Sequence, residues 1–457
     1  MSQTLDVSQF IDDRKVSWFN VQLVLLCFLA IFFDGYDLLA ISYTAPAMIK
    51  ELNLANQGQF TSVFTGGLVG ILIGSLFFGY VGDRFGRKTA IVASCLSFGL
   101  FTWATVLCTT LNEIVAVRFL AGLGLGGLLP NIFSLTGELT PKRVRVTMTV
   151  IANLGIAVGA ASSGPIAAWL MPHYGWQILF SIGGILSLLV GCWLWVSLSE
   201  SVKYQVLHGK RDKVIVTLRR MQPTLQIAPD TVFVMHHEKQ FEGWSPKYLF
   251  EGRLKYVTPL VWLMFIASFM TSFFLLSWLP VLLTNASIPL SKAVIFASII
   301  QLGSLTGALV LSRMLDKWGM KPISAYFILS VVFVSTLGYA AFVPEAVVAV
   351  IIFLVGFFGL GVQIGINALT PTFYPSAYRA SGAGWALGLA RIGSIGGATI
   401  GGILIGQRLP LTQLYLWASL PLVICSIISL ILIPLLSSRA ASLSIGPSDG
   451  IAGGARI

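Results

Sequence analysis

The feature that most constrains this chain is a series of twelve apolar stretches, each long enough to cross a bilayer. They fall at about 19–47, 58–80, 88–110, 112–137, 145–170, 176–198, 256–284, 291–313, 322–342, 346–369, 381–405 and 412–436. A helix needs about 20 apolar residues to span the hydrocarbon core, so these stretches predict an all-α membrane protein with twelve spanning helices. The composition excludes a soluble enzyme. Of 457 residues, 56% are apolar and 10% charged, against about 25% charged in an average soluble domain. The 46 glycines suit membrane helices that pack closely. Cys27, Cys95, Cys108, Cys192 and Cys425 lie in apolar runs without metal-ligand spacing, and no nucleophile–base pair appears, so neither a metal centre nor an enzyme is expected.

The longest polar interval, about 200–255, divides the chain into a tail (1–16), a six-helix half (17–199), a central loop (200–255), a second half (256–437) and a C-terminal tail (438–457). The 1–16 segment has no cleavage-site pattern, so the first span is expected to be retained as an anchor. The central loop is amphipathic in places, and its His236-His237 pair reads as solvated rather than metal-binding. The formal charge of +11 would suggest nucleic acid on a soluble protein. Here all but five of the 29 Lys and Arg fall on the N-terminal side and in the even-numbered loops; Lys50, Lys292 and Arg408 lie opposite, and Arg118 and Arg391 lie inside spans. The positive-inside rule therefore places both termini and the central loop in the cytoplasm and leaves nucleic acid out.

The two halves echo each other. The loop after span two runs from Gly79 through Asp83, Arg84, Gly86, Arg87 and Lys88; the loop after span eight carries Asp316, Lys317, Gly319 and Lys321. Glu138-Leu-Thr-Pro141 to Arg145 is echoed by Thr372-Phe-Tyr-Pro375 to Arg379 at nearly the same spacing. Parallel duplicated halves are a transporter architecture with a midplane site between them.

The pattern Gly-x-x-x-Asp-Arg-x-Gly-Arg-Lys at 79–88 resembles the signature loop of the major facilitator superfamily. Arg118-x-x-x-Gly122-x-Gly124-x-Gly126 resembles its fourth-helix motif. Leu198-Ser-Glu200-Ser201 is similar to its Pro-Glu-Ser motif, with Ser199 in place of the proline. Asp34-Gly35-Tyr36-Asp37, together with Gln363, Asn367, Tyr374-Pro375, Arg379 and Gly384-Trp385-Ala386, resembles the aromatic acid:proton symporter family. The resemblance covers nearly the whole chain. It implies a symporter of the bacterial inner membrane that imports benzoate-like acids with protons; a monomer without a cofactor is expected.

Each charge at bilayer depth costs roughly 2.5–3.5 kcal/mol on insertion scales, so Asp34, Asp37, Arg118 and Arg391 must pair, face water or bind something. Asp34 and Asp37, three apart, share a face, and two close carboxylates resist joint ionisation, which suits a proton carrier; the bland reading is a pair with Arg118. By the family motif, Arg118 tunes proton release; otherwise it is a structural ion pair. Arg391 is the candidate for the substrate carboxylate, because guanidinium grips carboxylate with two parallel hydrogen bonds, or else it pairs with the Asp34/Asp37 site. Gln363, Asn367, Gln301 and Asn153 are mid-span amides expected to face inwards, binding ring hydroxyls or bridging helices. Phe265, Phe269 and Phe273 form a stripe suited to an aromatic ring or to plain packing; Phe33 and Tyr36 are further lining candidates, and Trp385 would cap the site. Asp83, Arg84, Arg87, Lys88, Glu138, Arg145, Asp316 and Arg379 are expected to gate the inner mouth, with the second-half gate weaker because Met320 stands where Arg87 stands in the first. Carriers of other organic anions such as muconate, a drug:proton antiporter (Gly164-Pro165 fits that class but Ala160 does not) and a non-transporting sensor are the alternatives.

Overall fold

The computed structural model describes residues 4–222, 225, 231–234, 249–374 and 379–443, without the side chains of 371, 379, 380 and 436–443. His236, His237 and Pro375 lie outside the described residues.

Twelve helices among the described residues are long and apolar enough to span a membrane. In the first half they are α1 (Trp18–Glu51), α2 (Gln57–Phe85), α3 (Arg87–Leu107), α4 (Leu111–Leu139), α5 (Arg145–Tyr174) and α6 (Gln177–Ser197). In the second they are α7 (Leu254–Asn285), α8 (Leu290–Trp318), α9 (Lys321–Phe342), α10 (Glu345–Leu369), α11 (Ser381–Gly406) and α12 (Leu411–Leu435). The expected ends agree to within a few residues except where helices run past the hydrocarbon, as α1 and α2 do.

The packing repeats as the sequence echoes predict. In the first half α1 packs on α5, α2 on α4 and α3 on α6; in the second α7 packs on α11, α8 on α10 and α9 on α12. Across the halves α2 meets α11, α5 meets α8 and α1 meets α7, a set that maps onto itself when the halves are exchanged.

Glycine makes these pairs possible, because helices in lipid associate through close backbone packing rather than through a hydrophobic driving force. A methyl group at Gly159 would collide with the Phe32 carbonyl across α1–α5, and one at Gly397 with the Met270 carbonyl across the equivalent α7–α11 pair. A π-turn at Gly356–Leu360 interrupts α10 just before Gln363.

Among the described residues, hydrogen bonds join the halves at one end only. Ser42 donates to the Ser277 carbonyl (2.9 Å), Ser298 to the Tyr43 hydroxyl (3.3 Å), and Thr65 meets Thr399 (2.9 Å). Gln57 and Asn285 exchange amide hydrogen bonds, and Asn56 donates to the Gly406 carbonyl. Among the described residues, every hydrogen bond between the halves lies from mid-span to the face opposite the basic loops. The molecule is shut there.

At the basic face the 1–16 segment is not a loose tail. Thr4–Asp6 pairs in parallel with Val232–Val234, and the helix Val7–Asp13 buries Val7 and Ile11 in the first-half core together with Leu218 and Met221 of the central-loop helix Arg211–Met221. Asp12 pairs with Arg145 at 2.9 Å and accepts from the Lys142 N–H, so the N-terminal segment clamps the α4–α5 loop. Arg145 was expected to work with Glu138; its partner is Asp12.

The glycine seams give a testable contrast. Gly159→Val should destabilise by about 1–3 kcal/mol or more through overpacking. Gly137→Ala, where an added methyl meets nothing, should be neutral or stabilise by about 0.5–1 kcal/mol. Thermal unfolding of the detergent-purified variants measures both; equal midpoints would contradict the packing described.

Candidate functional site

The intramembrane charges separate into two arrangements. Asp37 and Arg118 form a closed pair within the first half. Arg118 Nη1 donates to Asp37 Oδ1 at 2.9 Å and Nη2 to Oδ2 at 2.5 Å, with Asp37 0% and Arg118 4% exposed. Thr102 donates to the same carboxylate at 3.4 Å, and the Arg118 guanidinium lies 5.5 Å from the centroid of the Phe180 ring. The pair tethers α1 to α4 in bidentate geometry, which offsets much of the desolvation cost.

Asp34 and Arg391 stay open. The two groups interact electrostatically across the boundary between the halves, yet neither has a hydrogen-bond or ion-pair partner among the described residues. Both are half-buried. Asp34 and Asp37 interact electrostatically but face different partners: a step of three residues turns the second about 60° around the helix, and here that turn sends Asp37 into the first half and leaves Asp34 facing the second.

Arg391 also fixes where the face of α11 points. Gly384 and Gly388 share that face, and an added methyl at either would meet nothing within 4 Å. Among the described residues, α11 is thus uncovered along this basic-side part of its face. Trp385 is partly exposed beside it and meets Trp262 of α7 at a tilt, with ring centroids 5.9 Å apart. Gln363 of α10 accepts a hydrogen bond from the Ser268 hydroxyl, while its buried Nε2 and the buried Trp262 Nε1 lack partners. Among the described residues, α7, α10 and α11 thus carry a guanidinium without a hydrogen-bond partner, two unsatisfied N–H donors and an indole pair. Asn367 is exposed, one turn towards the basic face from Gln363.

Other expected lining residues fall elsewhere. Tyr36 is 2% exposed and donates to the Leu179 carbonyl, so it is a packing residue between α1 and α6. Phe33 is buried in the first-half core, edge-on to Phe32. The Phe265–Phe269–Phe273 ladder is real, with parallel rings 6.3 and 6.2 Å apart. Phe273 closes a cavity of about 40 Å³ shared with Asp37, Arg118, Ser42 and Phe64. That space suits two or three waters and excludes an aromatic acid, since one water needs about 10–15 Å³ on this measure. Gln301 is half-buried without a hydrogen-bond partner among the described residues, and Asn153 sits exposed on α5.

The signature loop forms one network. Arg87 pairs with Asp83 at 2.5 Å and approaches Glu138 at 3.9 Å; Glu138 also accepts from the Ser134 and Ser201 hydroxyls. Gly86, at φ +105°, turns the chain from α2 into α3, and the Glu200 carboxylate occupies the space a side chain would take there. Glu200 accepts from the Lys88 N–H at 3.0 Å, capping α3. Arg84 donates to the Tyr80 hydroxyl and stacks on Phe85. Asp316 is exposed with no ion pair among the described residues, and the Arg379 side chain lies outside them. Sequence reasoning missed the inter-half contacts of Ser42, Ser277, Tyr43 and Ser298. Hydroxyls inside apolar runs carry no signal of which neighbour they will meet.

The pairing predicts a split between neighbouring acids. Asp37→Asn leaves Arg118 buried without its counter-charge and should cost about 3–5 kcal/mol, lowering the midpoint of thermal unfolding. Asp34→Asn should leave it near the wild-type value. Equal effects would contradict the division.

The model of the Major Facilitator Superfamily matches residues 27–398. The chain is 32% identical to the 4-hydroxybenzoate transporter PcaK of Pseudomonas putida, over 89% of this chain and 91% of that protein. It is 31% identical to the benzoate transport protein of Acinetobacter baylyi, over 93% and 92%, and 29% identical to a gallate transporter of Pseudomonas putida, over 91% and 92%. The fold is similar to the xylose transporter XylE of E. coli in a partially occluded inward-open conformation, at a TM-score of 0.69 and 17% identity, covering 92% of this chain and 98% of that one. The chain is therefore a multi-pass membrane transporter, not an enzyme, and belongs to the major facilitator superfamily, in the family of these aromatic-acid transporters.

Proposed function

We propose that the protein imports an aromatic monocarboxylate together with protons by alternating access. It acts as a monomer in the bacterial inner membrane, with the basic face and both termini in the cytoplasm and the proton gradient as its energy source. The single observation that carries this reading is the Arg391 guanidinium, which has no hydrogen-bond or ion-pair partner among the described residues and interacts with Asp34 across the boundary between the halves. The relatives named for 4-hydroxybenzoate, benzoate and gallate supply the substrate class.

A monoanion entering a negative-inside cell works against about 2.3 kcal/mol per 100 mV, and one proton per anion cancels that charge. Arg391 takes the carboxylate with two parallel hydrogen bonds. Gln363 and Trp262 donate to ring substituents, and Trp385 stacks on the ring. The Asp34 carboxylate loses its share of the Arg391 guanidinium once the anion arrives, so a proton moves onto Asp34. Anion and proton then favour the same state, which is the requirement for coupling. Asp37–Arg118 holds α1 against α4 beside this site and keeps waters in the small cavity behind Phe273. The Asp83–Arg87–Glu138 network sets the rigid edge against which the inner mouth closes.

Uptake of radiolabelled 4-hydroxybenzoate or benzoate into proteoliposomes under an imposed pH gradient tests the reading. Arg391→Ala should lower affinity about a hundredfold, the loss of a bidentate charge-assisted contact worth roughly 3 kcal/mol. Asp34→Asn should keep anion exchange and lose proton-driven accumulation. Accumulation by Asp34→Asn at the wild-type level would sink the proposal.

A further inference from the structure

We infer that the first half carries a second binding site, for the headgroup of an anionic phospholipid, between α3, α6 and the central-loop helix Arg211–Met221. A cavity of about 710 Å³ opens there at the basic face, away from the gap between the halves. Its wall combines Lys88, Lys210, Lys213 and Arg220 with only two acids, Glu200 and Asp212.

Both acids are already engaged. Glu200 accepts from the Lys88 and Ser201 N–H groups. Asp212 sits in the first turn of its helix, where it answers the positive end of the helix dipole. The cations outnumber that compensation. Lys88 is attracted by Glu200 and repelled by both Arg220 and Lys213, and neither Lys213 nor Arg220 has an ion-pair partner among the described residues. Lys210 lies over the Tyr204 ring at 4.7 Å and keeps its charge at the rim. A cluster of like charges drawn together around an empty space is matched by a phosphate.

The floor identifies the anion as a lipid. Val92 and Leu96 of α3 and Trp195 of α6 line the same cavity, and Trp195 is 64% exposed at the basic end of its span. The cavity thus opens sideways onto helix surface that faces acyl chains, with an aromatic residue at headgroup depth. A soluble phosphate compound has no use for that apolar flank. Basic pockets beside membrane helices at a positively charged face hold anionic headgroups by this combination. A seated headgroup joins Lys88, at the start of α3, to the central loop, and so fixes that loop on the first half.

Native mass spectrometry of the full-length protein in detergent, titrated with phosphatidylglycerol or phosphatidylcholine, tests the site. The wild type should retain phosphatidylglycerol about tenfold better, given the attraction of several basic residues at an anionic surface. Lys213→Gln/Arg220→Gln, whose changes lie on an exposed helix face, should retain the two lipids equally. A second arm repeats the titration with millimolar inorganic phosphate, which should leave lipid retention unchanged. Equal retention of both lipids by the wild type, an unchanged preference in the double variant, or displacement of the lipid by free phosphate would each overturn the assignment. Unfolding midpoints measured without lipid confirm that the variant is folded.

Discussion

Charge at bilayer depth has to be answered by a neighbour, and the two arginines inside the spans are answered in opposite ways. Arg118 is matched by its counter-ion: Asp37 takes both of its terminal nitrogens, and the pair is buried within one half, with only the Arg118 Nε left without a partner among the described residues. Arg391 is left half-matched, with Asp34 across the boundary between halves and no direct contact. The closed pair lies within one half. An open pair spanning two bodies is changed by anything that enters between them. The fold places one of each side by side on α1, three residues apart.

The rest of the architecture serves that arrangement. Glycine seams let α1 dock on α5 and α7 on α11 at backbone contact, which packs each half tightly. The serine, tyrosine and amide contacts between the halves close the face opposite the basic loops. The open glycine-lined flank of α11 leaves Arg391 reachable from the basic face. Closing the outer end and opening the inner one around a fixed site is how transporters of this architecture alternate access. On the basic face the N-terminal segment, the α4–α5 loop and the central-loop helices form a single packed layer rather than separate tails, which ties the Asp83–Arg87–Glu138 network to the body of the first half.

Much of this was legible in the sequence because it follows from long-range regularities. Bilayer thickness sets the spans, basic residues mark one face, and the Asp83/Asp316 echo reveals the duplication. The rarity of intramembrane charge singled out the four groups at the centre. Their partition was not legible. Spacing puts Asp34 and Asp37 on nearly the same side of α1, but the packing of α4 and α11 decides which acid is enclosed. Tyr36 and Phe33, adjacent to those acids, looked like lining and are core, because burial of α1 on α5 and α6 leaves only a narrow strip facing the gap. The Asp12–Arg145 pair was equally hidden: Val7 and Ile11 are too few apolar residues to announce a docked segment, and their partners lie more than two hundred residues away in the central loop.

The central claim is that the anion and a proton meet at one site, with Arg391 taking the carboxylate and Asp34 the proton. Proton uptake on anion binding reads this without any membrane or gradient. Titration calorimetry of 4-hydroxybenzoate or benzoate into purified protein near neutral pH, repeated in buffers of different ionisation enthalpy, counts the protons. The account predicts about one proton taken up per anion by the wild type and none by Asp34→Asn, as linkage between the two ligands requires. Binding without proton uptake in the wild type, or the same uptake in Asp34→Asn, would contradict it.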